Sequence, residues 1–306
     1  MGETANLCGI LVVHKHAGVT SSDIVNRLRR LYGTRQVGHT GTLDPMATGV
    51  LPVLIGRAVK ASDFIVAENK RYTAGMRLGI TTDTEDITGQ ILTTSADIPD
   101  ETAVQTACAA FRGDIQQIPP MYSALKVGGR KLVDLAREGI TVERQPRPIR
   151  IDALCARRLE DSLYELDVRC SKGTYIRTLC ADIGARLGCG AAMDSLVRTE
   201  SGPFTLEKAV TIAQLEEMTQ QERVGLLLPL ESYFADCPAV SLPPFYARLA
   251  ASGCEIYQKK IGTSIPTGTL VRMVRPAGET EEFFALGRVV EYPEGSAVKA
   301  VKLFVL

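Results

Sequence analysis

RIDALCARRLEDSLYELDVRCSKGTYIRTLCADIGARL, from Arg150 to Leu187, holds a strand hairpin and a helix in one unbroken run. Arg150–Arg158 and Leu163–Cys170 read as two strands, and Glu160-Asp161-Ser162 between them is turn chemistry. The period then changes. After Gly173-Thr174, the residues Tyr175, Ile176, Leu179 and Ile183 make one apolar side and predict a helix to about Leu187. Nearer the start, Leu7–Val13 reads as a buried strand. Thr20-Ser21-Ser22-Asp23 supplies an N-cap, Ile24, Leu28 and Leu31 form a helical stripe, and Gly33 stops it. Strands that arrive both in hairpins and between helices predict an α+β fold. Its sheet is expected to be mixed and mostly antiparallel with flanking helices, rather than doubly wound and parallel.

Further elements fit the same pattern. Val50–Ile55 is an apolar run, a helix is expected from Ala58 to Glu68, Tyr72–Leu78 alternates like a strand, and TTDTEDITG after it reads as a polar loop. Asp100-Glu101 caps a helix with Val104, Ala107, Ala110 and Phe111 inward. Residues 116–150 stand apart as an insertion rich in glycine, proline and arginine, with a short helix-like centre at Lys131–Arg137. There Lys126, Arg130, Lys131, Arg137, Arg144, Arg147 and Arg150 face only Asp134, Glu138 and Glu143. From Pro238 onward, turn residues and a helix-like stretch lead into TLVRMVR, EFFALGRVV and AVKAVKLFVL, all of β character. The expected division is therefore a first domain at 1–237 and a small β-rich domain at 238–306.

Composition bounds the function classes. The chain has 306 residues, 45% of them hydrophobic, which is ample for a packed core. Lys+Arg and Asp+Glu balance at 35 each, so a nucleic-acid partner has to be sought in local charge. The first apolar run is too short for a signal peptide or membrane span. The eight cysteines form no CxxC pair and there are only three histidines, so a zinc or His-built metal site is not expected. Reduced thiols and a cytoplasmic location are.

Four stretches could carry chemistry. GHTGTLDPMATGVLPV, Gly38–Val53, admits three readings: a turn, a phosphate loop, or a mount for the carboxylate of Asp44. It lacks GxxxxGK[ST] and GxGxxG, which weakens the phosphate reading. Pro45 restricts the residue before it toward extended geometry, so Asp44 is held rather than free to swing. Arg177, in SKGTYIRTL, is either a solvated first-turn arginine or a partner that keeps Asp44 ionised. Tyr72 is either core packing or a ring that stacks on a flat ligand. The seven cations of 116–150 are either a solvated loop or a clamp for a phosphate backbone.

Taken together, HKHAGVTSSD, GHTGTLDPMATGVLPVLIGRAVK, KRYTAGMRLGITTDTEDITG, IPPMYSALKVGGRKLVDLAREG and SKGTYIRTLCADIGARLGCGA occur in the order seen in the bacterial TruB family of tRNA pseudouridine synthases. The resemblance covers about residues 9–204, and the remainder resembles the small PUA-like β domain of such enzymes. It implies isomerisation of one uridine in the T arm of tRNA, without cofactor, metal or guide RNA, by base flipping and cleavage of the glycosidic bond. It also implies Asp44 as the catalytic aspartate, Arg177 as its arginine partner and Tyr72 as the active-site tyrosine. His39, Tyr175 and Leu196 would line the uridine pocket, with His39 filling the gap left in the RNA stack. Lys15 falls in the family's KPxGxTS motif and is expected beside the substrate; His16 stands where that motif usually has proline. Lys126, Arg130 and Lys131 would grip RNA. A monomer is the expected state. Two competing readings are a non-catalytic RNA-binding module on the same scaffold, and a guide-RNA-dependent synthase, which the short C-terminal region and the lack of a Lys-rich tail disfavour.

Overall fold

The computed structural model describes residues 7–65 and 69–305. β1 (Cys8–Lys15) is followed by α1 (Ser21–Leu31), whose N-cap Thr20 exchanges hydrogen bonds with Asp23 in a capping box. β2 (Val37–His39) and β3 (Thr48–Gly56) bracket the Asp44 loop, and β4 (Asn69–Leu78) follows. Between β3 and β4 the chain forms a 3₁₀ helix, Arg57–Phe64, instead of the α-helix expected at 58–68; residues 66–68 of that expectation lie outside the described residues. The stretch read as a polar loop begins with a short strand, β5 (Ile80–Thr82), which pairs with β6 (Ile91–Thr94). In α2 (Glu101–Ala109), capped by Asp100, Val104, Ala107 and Cys108 are buried. Ala110 is the C-cap and points outward, contrary to the reading from periodicity.

β7 (Gly113–Gln117) leads into the insertion, which holds the hairpin β8 (Lys126–Val127) and β9 (Arg130–Lys131) and then α3 (Leu132–Arg137). The hairpin of β10 (Arg147–Arg158) and β11 (Leu163–Ser171) comes next. α4 (Ile176–Leu187) starts three residues later than Gly173 suggested, because Tyr175 keeps extended geometry as its N-cap. β12 (Ala191–Ser201), β13 (Phe204–Thr205), α5 (Ile212–Glu217) and β14 (Leu228–Pro229) complete the first part.

Among the described residues the large sheet runs β14-β1-β3-β12-β4-β11-β10-β7, with β2 beside β3 and β13 beside β12. Every pairing is antiparallel except β3 with β12. This is the expected mixed, mostly antiparallel sheet. The parallel junction brings the strand after α4 between β3 and β4, so segments far apart in the chain, such as Leu196 and Ala74 or Val197 and Thr48, share one floor. Helices α1, α2, α4 and α5 cover one face with Leu28, Val104, Leu179 and Leu215 against Leu11, Leu51, Met76 and Leu166.

β1 and β3 are buried on both faces, which explains their nearly continuous apolar sequence. Their other face, Ile10, Val12, Val50 and Leu54, packs against Phe204, Leu230, Phe234, Leu286 and Phe304. Leu286 belongs to, and Phe304 directly follows, a second sheet of β15 (Ala239–Ser241), β16 (Ile256–Tyr257), β17 (Leu270–Ala277), β18 (Thr280–Tyr292) and β19 (Gly295–Leu303), in the order β15-β17-β18-β19-β16. The C-terminal β unit thus shares a hydrophobic core with the large sheet. No described helix is long and apolar enough to cross a membrane.

Candidate active site

The loop from Thr40 to Ala47 is held from four directions. Ser21, at the start of α1, accepts a hydrogen bond from Leu43 N at 2.9 Å, and its hydroxyl donates to Leu43 O at 3.2 Å. Gly18 N donates to Pro45 O at 2.9 Å. The Lys15 ammonium donates to Ala47 O at 2.7 Å, His16 O at 2.9 Å and Pro45 O at 3.2 Å. Arg198, on β12, donates to Val50 O at 2.7 Å, Gly41 O at 3.0 Å and Thr42 O at 3.4 Å. Both cations are fully buried with carbonyl partners, so their charge is spent on holding backbone. The turn is a rigid mount, as Asp44-Pro45 suggested.

Lys15 corrects one expectation. It was placed among residues that touch substrate, but its side chain has no exposed surface and turns into the loop. Burial lowers its ammonium to about 8.

The mounted Asp44 projects into a cleft of about 460 Å³. Arg177 Nε donates to Asp44 Oδ2 at 2.9 Å and Nη2 to Oδ1 at 3.3 Å, a two-pronged contact. The arginine is 5% exposed while Asp44 is 35% exposed, so the carboxylate faces the opening and the guanidinium backs it. The remaining donors reach Thr84 O at 2.9 Å and Tyr122 O at 2.8 Å. One guanidinium therefore ties the Asp44 loop, the turn after β5 and the 116–150 insertion together. A second carboxylate, buried Asp86, lies 3.8 Å from Arg177 Nε. Glu85 beside it has φ +63°, a strained left-handed conformation, and its carboxylate accepts from Thr178 Oγ1 at 2.5 Å.

The walls come from other elements. Tyr72 of β4, buried and with its phenol pushed up by that burial, lines the cleft beside Leu196 of β12. Tyr175 closes another side. Its backbone N–H donates to Gln117 Oε1 at 2.9 Å while Gln117 Nε2 donates to its carbonyl at 3.0 Å. His39, at the end of β2, lines the cleft with Nδ1 unpartnered; burial, then Arg198, pushes its imidazole down, so it is neutral at pH 7. At the mouth, the β8–β9 hairpin leaves Lys126, Arg130 and Lys131 exposed, and Lys131 lines the cleft. Arg130 is paired with Glu138.

Asp44, Arg177, Tyr72, His39, Tyr175 and Leu196 therefore meet in one cleft. Sequence reading missed Arg198, Asp86, Gln117 and Lys70. Arg198 follows Leu196 at strand spacing in SLVRT, so an arginine on the inward face of a strand was its signal. Asp86 was passed over inside a stretch read as solvated. A larger opening, about 740 Å³ between α1 and α5, contains Asp23 and Glu216. Both carboxylates there are committed, to the Thr20 cap and to Arg27.

The description "TruB family pseudouridylate synthase (N terminal domain)" matches residues 29–176, and "tRNA pseudouridylate synthase B C-terminal domain" matches residues 177–235. A Francisella philomiragia protein named tRNA pseudouridine synthase B is 45% identical over 239 residues, 78% of this chain and 79% of its own. A Syntrophotalea carbinolica protein of the same name is 44% identical over 273 residues, 88% and 89% of the two chains. Among solved structures, a Cbf5-Nop10-Gar1 complex is similar with TM-score 0.69 and 26% identity, covering 97% of this chain and 85% of that one. A chain of an H/ACA RNP bound to a substrate RNA containing 2'-deoxyuridine shares the fold, with TM-score 0.68, 24% identity and coverage of 97% and 85%.

Proposed function

Because the chain belongs to the TruB family of pseudouridylate synthases, we propose that it isomerises one uridine in the T loop of tRNA to pseudouridine, with Asp44 as the reactive carboxylate. The observation that carries this reading is the Asp44 carboxylate itself, rigidly mounted, paired with Arg177 and open to a cleft walled by Tyr72, Tyr175 and Leu196.

The reaction balances within the substrate. The N1–C1′ bond breaks, a C5–C1′ bond forms, and the proton on C5 is exchanged for one on N1. No hydride, phosphoryl group or electron is needed. Among the described residues that line the cleft, Asp44 is the one carboxylate. It acts at C1′, at C6 of the uracil, or by assisting elimination to a glycal. Arg177 keeps it aimed through its two-pronged contact. The donors of Arg177 are already spent on fixed oxygens, so little reorganisation is required at the moment of reaction. Tyr72 stacks on the uracil and is placed to relay the C5 proton. A target inside an RNA fold has to be flipped out to reach this depth; neutral His39 then fills the vacated stack without carrying a proton. Lys126, Arg130 and Lys131 grip the phosphates of the T arm, and residues 238–306 extend that grip beyond the catalytic unit 1–237. The enzyme works in the cytoplasm as a monomer, without guide RNA.

The test is incubation of the pure protein with an unmodified tRNA transcript, in chelator and without other RNA, followed by mapping of pseudouridine. Product at one T-loop position is expected. RNA binding with no product supports a binding module instead, and product only on addition of a guide RNA supports a guide-dependent synthase.

A further inference from the structure

KRY, Lys70 to Tyr72, lies on β4, where alternate residues share a face and sit ~6.7 Å apart along the strand. Arg71 points away and its charge is answered by Asp167 at 2.7 Å and Glu200 at 3.3 Å. Lys70 is on the same face as Tyr72 and lines the cleft with it. Among the described residues, no hydrogen bond or ion pair is made by its ammonium.

Its surroundings are cationic. A β-carbon added at Gly41 would lie 3.5 Å from Lys70 Nζ and 3.6 Å from Arg198 Nη1, so two cations converge on one bare stretch of the Asp44 loop. Arg198 and Lys172 oppose its charge and Cys170 favours it; with burial as the largest cause, the ammonium is lowered to about 8. Arg198 spends its donors on carbonyls, whereas Lys70 has none assigned. A partly buried cation beside another cation is costly unless an anion joins them. The anion that an RNA brings to this depth is its own phosphodiester.

We propose that Lys70 binds a backbone phosphate flanking the flipped uridine, which makes it an RNA-binding residue inside the reaction cleft, separate from the cations of the 116–150 insertion. The proposal rests on the tRNA reading above and adds a site to it. Gly41, without a side chain, leaves that phosphate free to approach the loop, and Tyr72 one step along the strand holds the base.

Two perturbations that remove the same contact from opposite sides test this. In the RNA, each phosphate next to the target uridine is replaced singly by a neutral methylphosphonate; in the protein, Lys70→Met keeps the stem and deletes the charge. Wild-type affinity is expected to fall about tenfold at one of those phosphates, the size of one charged hydrogen bond. Lys70→Met should weaken binding of ordinary tRNA about equally, and should lose nothing more on the modified RNA. Its salt slope should be shallower by ~0.7–1. Wild-type binding that is indifferent to every flanking methylphosphonate overturns the proposal whether or not the variant folds, and so does additivity of the two losses at every position. Binding is scored apart from product, so absence of pseudouridine from wild type would sink the functional reading without deciding the fate of the phosphate site.

Discussion

Replacing Arg198 by methionine should separate catalysis from RNA binding. The side chain is fully buried and ties down backbone, at 2.7 Å to Val50 O and 3.0 Å to Gly41 O with a weaker 3.4 Å contact to Thr42 O, and it also lies against the Tyr72 phenol. Two good hydrogen bonds from a charged donor are worth roughly 3–6 kcal/mol gross. Against that, Arg198 has no carboxylate partner among the described residues, and deleting it removes the desolvation cost of a buried cation, which is several kcal/mol. The net loss of global stability should therefore be modest, ~2 kcal/mol or less, or only a few degrees in melting temperature. The larger effect is local. Freed of its tie at Gly41 and Thr42, the loop shifts Asp44 away from the geometry that Arg177 fixes, and a displacement of ~1 Å costs about 100-fold in rate. The assay is single-turnover pseudouridine formation at saturating tRNA, with tRNA affinity measured by filter binding and folding by thermal melting. The expected pattern is a rate about 100-fold down with affinity within about threefold, because the substitution leaves Lys70 and the cations of the 116–150 insertion, proposed to grip the RNA, in place. Arg198→Lys, which keeps the charge but loses the planar fork of the guanidinium, should be intermediate. A folded Arg198→Met enzyme with the wild-type rate would refute the claim that this arginine positions the aspartate.

Three further outcomes follow from the same geometry. Asp44→Asn keeps the shape of the loop but removes the charge, so pseudouridine formation should vanish while the tRNA dissociation constant moves less than about threefold; measurable turnover would remove Asp44 from the mechanism. Gly49 has φ +104° and sits against Arg198 where β3 meets β12, with an added β-carbon 2.2 Å from Arg198 O. Gly49→Ala should thus cost at least ~2 kcal/mol in urea unfolding, and a neutral result would mean the junction yields easily. Asp182 is raised from an ordinary 3.8 to about 6, first by burial and then by Glu85. Its folded value exceeds its unfolded one, so the native state binds the extra proton between about pH 4 and 6 and stability falls as pH rises through that window. The full effect would be ~3 kcal/mol, cut to ~1 kcal/mol because the group stays partly open to solvent. Asp182→Asn should therefore raise the urea midpoint at pH 7.5 and leave it unchanged near pH 4, and the opposite pH ordering would contradict the assignment.

The legible parts of the sequence were those in which a local pattern dictates a local shape. Thr20–Asp23 capped α1 as read, the hairpin of Arg150–Arg158 and Leu163–Cys170 formed close to its expected limits, and Asp44-Pro45 proved to be a held turn. The errors have physical causes too. Ala110 continued the helical period, yet the helix ended at Ala109 and chain direction overrode spacing. Lys15 sits in a motif with a functional resemblance, and nothing in its neighbours says that three carbonyls 1, 30 and 32 residues away would bury its ammonium.

By itself the sequence determined most of the elements, their periods, the mostly antiparallel character of the sheet and the restriction that Pro45 places on Asp44, because each depends on residues within a turn or a strand of one another. The tertiary structure decided what the acid faces. Insertion of β12 between β3 and β4 puts Leu196 and Arg198 beside Tyr72 and the Asp44 loop, and packing of α4 against that sheet turns Arg177 inward instead of to solvent. It also decided that β1 and β3 are covered on their second face by Leu286 and Phe304. Those outcomes depend on which distant surfaces exclude water together, and one-dimensional periodicity records that a face is apolar without recording which partner will cover it.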